Sequence, residues 1–182
     1  FYHGSKQKVL DIDNANYDWL FITTDINNAI MYCEKEEDIR YLHMFKLKKP
    51  LNIFNARSKL DYSLLQKTLL HKGRVDFVNN ELYKLKDYDW LFLDDTNISR
   101  TEMACIIQNL GYDGFFNFEW TSDEMAGAHF ELESLPSIGI FDIDNLESLG
   151  ILSFEEIKKD TKYDNLKRKS KEKIINEIKP II

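Results

Sequence analysis

Trp19-Leu20-Phe21-Ile22-Thr23 runs without a break into Thr24-Asp25-Ile26-Asn27-Asn28-Ala29-Ile30-Met31-Tyr32-Cys33. The first five residues are a short apolar run of the kind that forms a buried strand. Thr24 or Asp25 then offers a side-chain oxygen for a helix N-cap, and Ile26, Ala29, Ile30 and Cys33 follow at helical spacing. Toward the N-terminus, Phe1–His3 is apolar-aromatic and meets Gly4 at once. Toward the C-terminus, Tyr41–Leu47 alternates and stops at Lys48-Lys49-Pro50, as a strand does. Leu60–Leu70 and Val75–Leu85 read as helices around Lys72-Gly73-Arg74, and Thr101–Leu110 as a helix closed by Gly111. Gly114–Phe118 and Ile138–Phe141 read as strands, and Ser153–Ile178 has helical spacing at Phe154, Ile157, Ile174, Ile175 and Ile178. This order lacks the regular alternation of a doubly wound sheet and predicts an α+β fold.

The 182 residues fit one domain, and 43% apolar with 30% charged residues is a globular composition. Net charge is −7, but Lys158–Lys173 carries +5 of local charge and leaves −12 on the remainder. An acidic body argues against a broad nucleic-acid-binding face and leaves only the basic tail for such a role. No apolar run is long enough to span a membrane, and FYHGSKQK has no signal-peptide core. The missing initiator Met points to a trimmed chain, a processed chain or a fragment. Cys33 and Cys105 make no disulfide framework, so a reducing cytoplasmic setting is expected, or delivery into a host cytosol. His3, His43, His71 and His129 are scattered without ligand spacing, so no metal site is expected. Neither G-x-G-x-x-G nor a P-loop occurs, which excludes the two commonest nucleotide cradles.

Four stretches remain as carriers of chemistry. In Tyr2-His3-Gly4-Ser5, a ring nitrogen stands beside a glycine that lets a ligand approach the backbone. The others are Leu20–Asp25 with Ala29 and Tyr32 behind it, Leu110-Gly111-Tyr112-Asp113-Gly114-Phe115-Phe116, and Leu135-Pro136-Ser137-Ile138-Gly139-Ile140-Phe141-Asp142. Taken singly, each also reads as ordinary folding: a strand ending in a turn, a capped helix, a helix stop, a strand entered through proline.

Taken in order, Y-H-G-S, L-F-I-T-T-D with A-x-x-Y, G-Y-D-G-F-F and S-I-G-I-F-D resemble the ADP-ribosyltransferase superfamily, in its His-Tyr-Glu, diphtheria-toxin-like and poly-ADP-ribose-polymerase-like branch. The resemblance runs from Phe1 to about Gly150. It implies two small packed sheets around an NAD cleft with flanking helices, as residues 1–152, and a charged helical extension over 153–182. It also implies that the strand of His3 lies beside the strand of Ile138–Phe141. His3 matches the histidine that bonds the adenosine ribose of NAD, and Gly4 the glycine whose backbone holds the nicotinamide carboxamide. Ser5 follows as a polar contact. Phe21 falls where the triad tyrosine sits, keeping an apolar wall without a hydroxyl. Thr23 stands near the ligand on the same strand, and Tyr32 matches the tyrosine that stacks on nicotinamide. Superposition of the last motif puts Ser137 where the family has its glutamate. Glu133 and Glu131 lie just upstream, and Glu119 and Glu124 lie on a loop. Glu133 is assigned as the catalytic carboxylate.

These residue types suit cleavage of the nicotinamide–ribose bond. The ribose becomes oxocarbenium-like, so the site needs grip on both ends of NAD and a negative carboxylate near C1′. The resemblance thus implies a mono-ADP-ribosyltransferase that consumes NAD and modifies a macromolecular acceptor, expected to be a protein. Two other readings stand beside it: a non-catalytic module binding NAD, ADP-ribose or a partner, and an NAD-dependent RNA-modifying enzyme using the basic tail.

Overall fold

The computed structural model describes residues 1–10, 19–31, 40–86, 93, 96–120, 134–160 and 171–178. In chain order these hold β1 (Tyr2–Ser5), β2 (Leu20–Ile22), α1 (Ile26–Met31), β3 (Tyr41–Leu47), β4 (Ile53–Phe54), α2 (Lys59–His71), α3 (Val75–Asn80) and α4 (Arg100–Asn109). They continue with β5 (Gly114–Trp120), β6 (Ser134–Ile140), β7 (Leu146–Ser153), α5 (Phe154–Lys159) and α6 (Lys171–Ile178). The class is α+β with two small sheets. One is antiparallel, in the order β1-β3-β7; the other is β2-β6-β5-β4, with β4 parallel to β5 and the rest antiparallel.

Local chemistry sets the boundaries. Asp25 caps α1: its Oδ1 accepts from Asn27 N at 2.9 Å, while its own N–H donates to Thr23 Oγ1 at 3.1 Å. Ser58 and Ser99 cap α2 and α4 through their hydroxyls. Ser153 and Glu156 form a reciprocal capping box on α5, and the Ser153 hydrogen bonds hold the Glu156 carboxyl below its ordinary pKa.

Apolar faces then assemble three cores. Helices α2, α3 and α4 cover one face of the four-stranded sheet, burying Leu65, Phe77, Met103 and Ile107 against Phe54 and Phe115. The other face meets the three-stranded sheet through Ile22, Phe45, Ile138 and Leu146. A third cluster joins Ala29, Leu42 and Ile157, so α1 and α5 pack on the three-stranded sheet.

The structure corrects the expected neighbour of His3. Strand β1 pairs with β3, in the register Tyr2↔Met44 to Ser5↔Tyr41. Both edges of β6 are already occupied, by β2 and β5. Hence β1 reaches the second sheet only through an isolated bridge between Tyr2 and Thr23. Beyond residue 152, Ile157 on α5 and Ile174 and Ile178 on α6 are buried in the same cores as the strands. Residues 161–170 of the basic run lie outside the described residues. No helix among the described residues is long and apolar enough to cross a membrane.

Candidate functional site

The site is built where the two sheets touch. Phe1 and Phe45 exchange two hydrogen bonds, each 2.8 Å, which fixes the parity of the β1–β3 ladder. Two residues on, His3 and His43 form the next hydrogen-bonded pair. Tyr2 and Gly4 fall at the alternate positions, where N–H and C=O point away from β3. Tyr2 uses its pair on Thr23, donating at 2.8 Å and accepting at 2.9 Å. Past that bridge β1 and β2 part. Gly4 therefore turns its backbone donor and acceptor away from β3, toward the β2 side, with no partner among the described residues.

His3 reaches across to β2 with its side chain. Its Nδ1 donates to the Phe21 carbonyl at 2.6 Å. A carbonyl oxygen only accepts, so this bond assigns the ring proton to Nδ1 and leaves Nε2 as a lone-pair acceptor. Burial lowers the pKa of His3 from 6.5 to about 4, against the Phe21 hydrogen bond, with the neighbouring His43 adding to the lowering. The ring is thus neutral at physiological pH, and its Nε2 acceptor has no partner among the described residues.

The remaining candidate residues lie on β1, along or just past β2, and on β6, and Phe21 turns its ring into the helix-covered core rather than toward the three-stranded sheet. Ser5 Oγ accepts from Gln7 N at 3.0 Å, closing the turn after β1. Thr23 is buried, with its backbone on Tyr2 and its hydroxyl on Asp25 N. Phe21 is half-buried and packs edge-on against Trp19 and Phe115, at 6.2 and 5.9 Å between centroids. Opposite Phe21, Gly139 leaves room for the Phe115 ring: a Cβ there would lie 2.4 Å from it. Ser137 is buried on β6, one register step beyond the Ile22–Ile138 pair and level with Thr23.

Of the sequence-predicted site residues, the structure brings His3, Gly4, Ser5 and Thr23 to the sheet junction; Phe21 contributes its backbone carbonyl there while its ring lies in the helix-covered core, and Ser137 is buried on β6 level with Thr23. Tyr32 and Glu133 lie outside the described residues, as do Glu131 and Glu124. Glu119 falls within β5, beyond the positions that pair with Gly139 and Ile138. Sequence reading passed over His43. It is buried directly across from His3, with ring centroids 6.1 Å apart and planes tilted by 46°. The signal was the alternation of Tyr41, His43, Phe45 and Leu47, which puts a histidine on an inward-facing row. No cluster of three or more His, Cys, Asp or Glu suited to a metal occurs among the described residues. In comparisons with known proteins, no family model, no curated protein and no solved structure matches this chain.

Proposed function

We propose that the chain binds NAD at the sheet junction and acts as a mono-ADP-ribosyltransferase. The observation that carries this reading is the backbone pair of Gly4, turned away from β3, next in sequence to His3 with its acceptor Nε2. A primary carboxamide presents one C=O and one N–H₂, the complement of a backbone N–H and C=O on the same residue. A ribose hydroxyl is the natural donor to a neutral imidazole nitrogen. One ligand with both groups at opposite ends is a nicotinamide dinucleotide.

In the reaction, the C1′–N bond breaks and its electron pair returns to the pyridinium nitrogen, so nicotinamide leaves neutral and needs no acid. Positive charge develops on the ribose, where the carboxylate of Glu133 is assigned to stabilise it. The acceptor nucleophile then bonds to C1′ and loses its proton to solvent. His3 and Gly4 hold the two ends of NAD so that strain falls on the scissile bond.

Incubation with NAD labelled on the adenylate tests this. The expected outcome is transfer of label to protein, abolished in Glu133→Gln while NAD binding persists. Label released as free ADP-ribose, or carried onto RNA, would redirect the acceptor assignment. Absence of both turnover and binding in the wild-type protein sinks the NAD reading. A second reading, a module that binds NAD without cleaving it, draws on Ser137: a buried, uncharged residue where the family resemblance implies a glutamate. Binding without turnover in the wild type selects that reading.

A further inference from the structure

We propose that His43 is a positioning residue for this site, pinning the turn that follows Gly4 and Ser5 and setting the ring of His3 across the strand. The inference concerns a residue outside the predicted set, and its ligand-binding consequence rests on the NAD reading above. His43 Nε2 donates to the Gln7 carbonyl at 2.8 Å, a contact 36 residues apart in sequence. The Gln7 N–H is held in turn by Ser5 Oγ at 3.0 Å. Gln7 is therefore gripped at both backbone groups, and the exit of β1 is fixed directly beyond Gly4, whose amide turns away from β3. On its own strand the His43 ring stacks on Phe45, with planes 6° apart, which fixes its orientation.

The surroundings of the two rings explain why a histidine suits this position. Facing His43 are His3 from β1, Ile151 from β7 and Phe45 along β3. The His3 ring is hydrogen-bonded, among the described residues, to the Phe21 carbonyl from β2. Among the described residues no carboxylate acts on either ring, so a charge on one disfavours a charge on the other. Burial lowers the pKa of His43 too, against its bond to Gln7. Both rings are consequently neutral together, each with its proton directed to a carbonyl: Nδ1 on His3, Nε2 on His43. Protonating His43 would add a positive charge on a ring whose centroid lies 6.1 Å from that of His3.

Two variants separate these roles. His43→Phe keeps the aromatic stack and removes the donor to Gln7; His43→Gln keeps a donor and removes the titratable ring. Three measurements apply to each: amide hydrogen exchange at Ser5 and Gln7, ring-nitrogen NMR of His3 against pH, and calorimetric binding of NAD. The expected result for His43→Phe is faster exchange at both amides and about tenfold weaker NAD binding, equal to loss of one well-placed hydrogen bond. His43→Gln should restore slow exchange and most of the affinity, while His3 titrates at higher pH than in the wild type. Unchanged exchange in His43→Phe, or an unchanged His3 titration in His43→Gln, overturns the proposal. So does equal loss of affinity in both variants accompanied by a matching fall in thermal stability. If the wild type does not bind NAD, the functional reading fails alone; exchange and NMR still decide whether His43 pins the turn.

Discussion

His3 carries its proton on Nδ1 because a carbonyl oxygen faces that nitrogen, and it stays neutral because burial opposes its charge. The folded ring has a pKa of about 4 against an ordinary 6.5, so between those values the unfolded chain takes up a proton that the folded chain refuses. Stability is therefore full above 6.5 and falls as pH drops through this window, by about 3 kcal/mol for a shift of that size. Urea midpoints should fall on going from neutral to acid pH in the wild type, and fall less in His3→Gln. Ligand binding follows the same ring. NAD affinity should stay flat through 6.5, where an ordinary histidine would charge, and weaken only as pH nears about 4. At the next residue, Gly4→Ala puts a methyl group beside the backbone pair. Loss of one amide hydrogen bond there should weaken NAD binding by about tenfold, measured by calorimetry, with little change in melting temperature.

Elements obey rules that a sequence shows only in part. The strand-to-helix reading over Trp19–Met31, the helix stop at Gly111 and the start of both helices around Lys72-Gly73-Arg74 were legible, because caps and apolar spacing are local signals; the second of those helices, expected over Val75–Leu85, ends at Asn80 and gives way to a 3-10 turn over Leu82–Lys86. Strand β7 was not. It pairs with β3 through a register shift between Met44 and Phe45, so Leu149 is an extra residue and the alternation over Leu146–Ser153 breaks. Strand β4 is two residues long and leaves no period to read. In the site, His3, Gly4 and Ser5 were legible as one short motif. The His3–His43 pairing was not, since only sheet register brings residues 40 positions apart face to face. Close packing also makes a test at the element scale. Gly139→Ala forces a methyl group into the Phe115 ring, 2.4 Å from the Cβ position. Overpacking of that kind should cost about 1–3 kcal/mol in denaturant unfolding, and Phe115→Leu in the same chain should recover part of it.

At the scale of the whole molecule, the charged C-terminal segment belongs to the body that the strands build. Ile174 and Ile178 are fully buried among residues from both sheets. Ile174→Ala should therefore destabilise the fold by about 2–5 kcal/mol in chemical denaturation, whereas the exposed Lys173→Ala should change it little. Phe1 packs against the core that contains Ile178, so the two ends of the described chain close one apolar layer. During synthesis this layer has no lid until α6 has left the ribosome. Every strand is translated before α6, and the nascent chain carries a bare apolar face for that interval. Chains that have emerged through β7 and not yet through α6 are thus the most prone to aggregate, and a pause ahead of Lys171 would lengthen the exposure rather than help the fold.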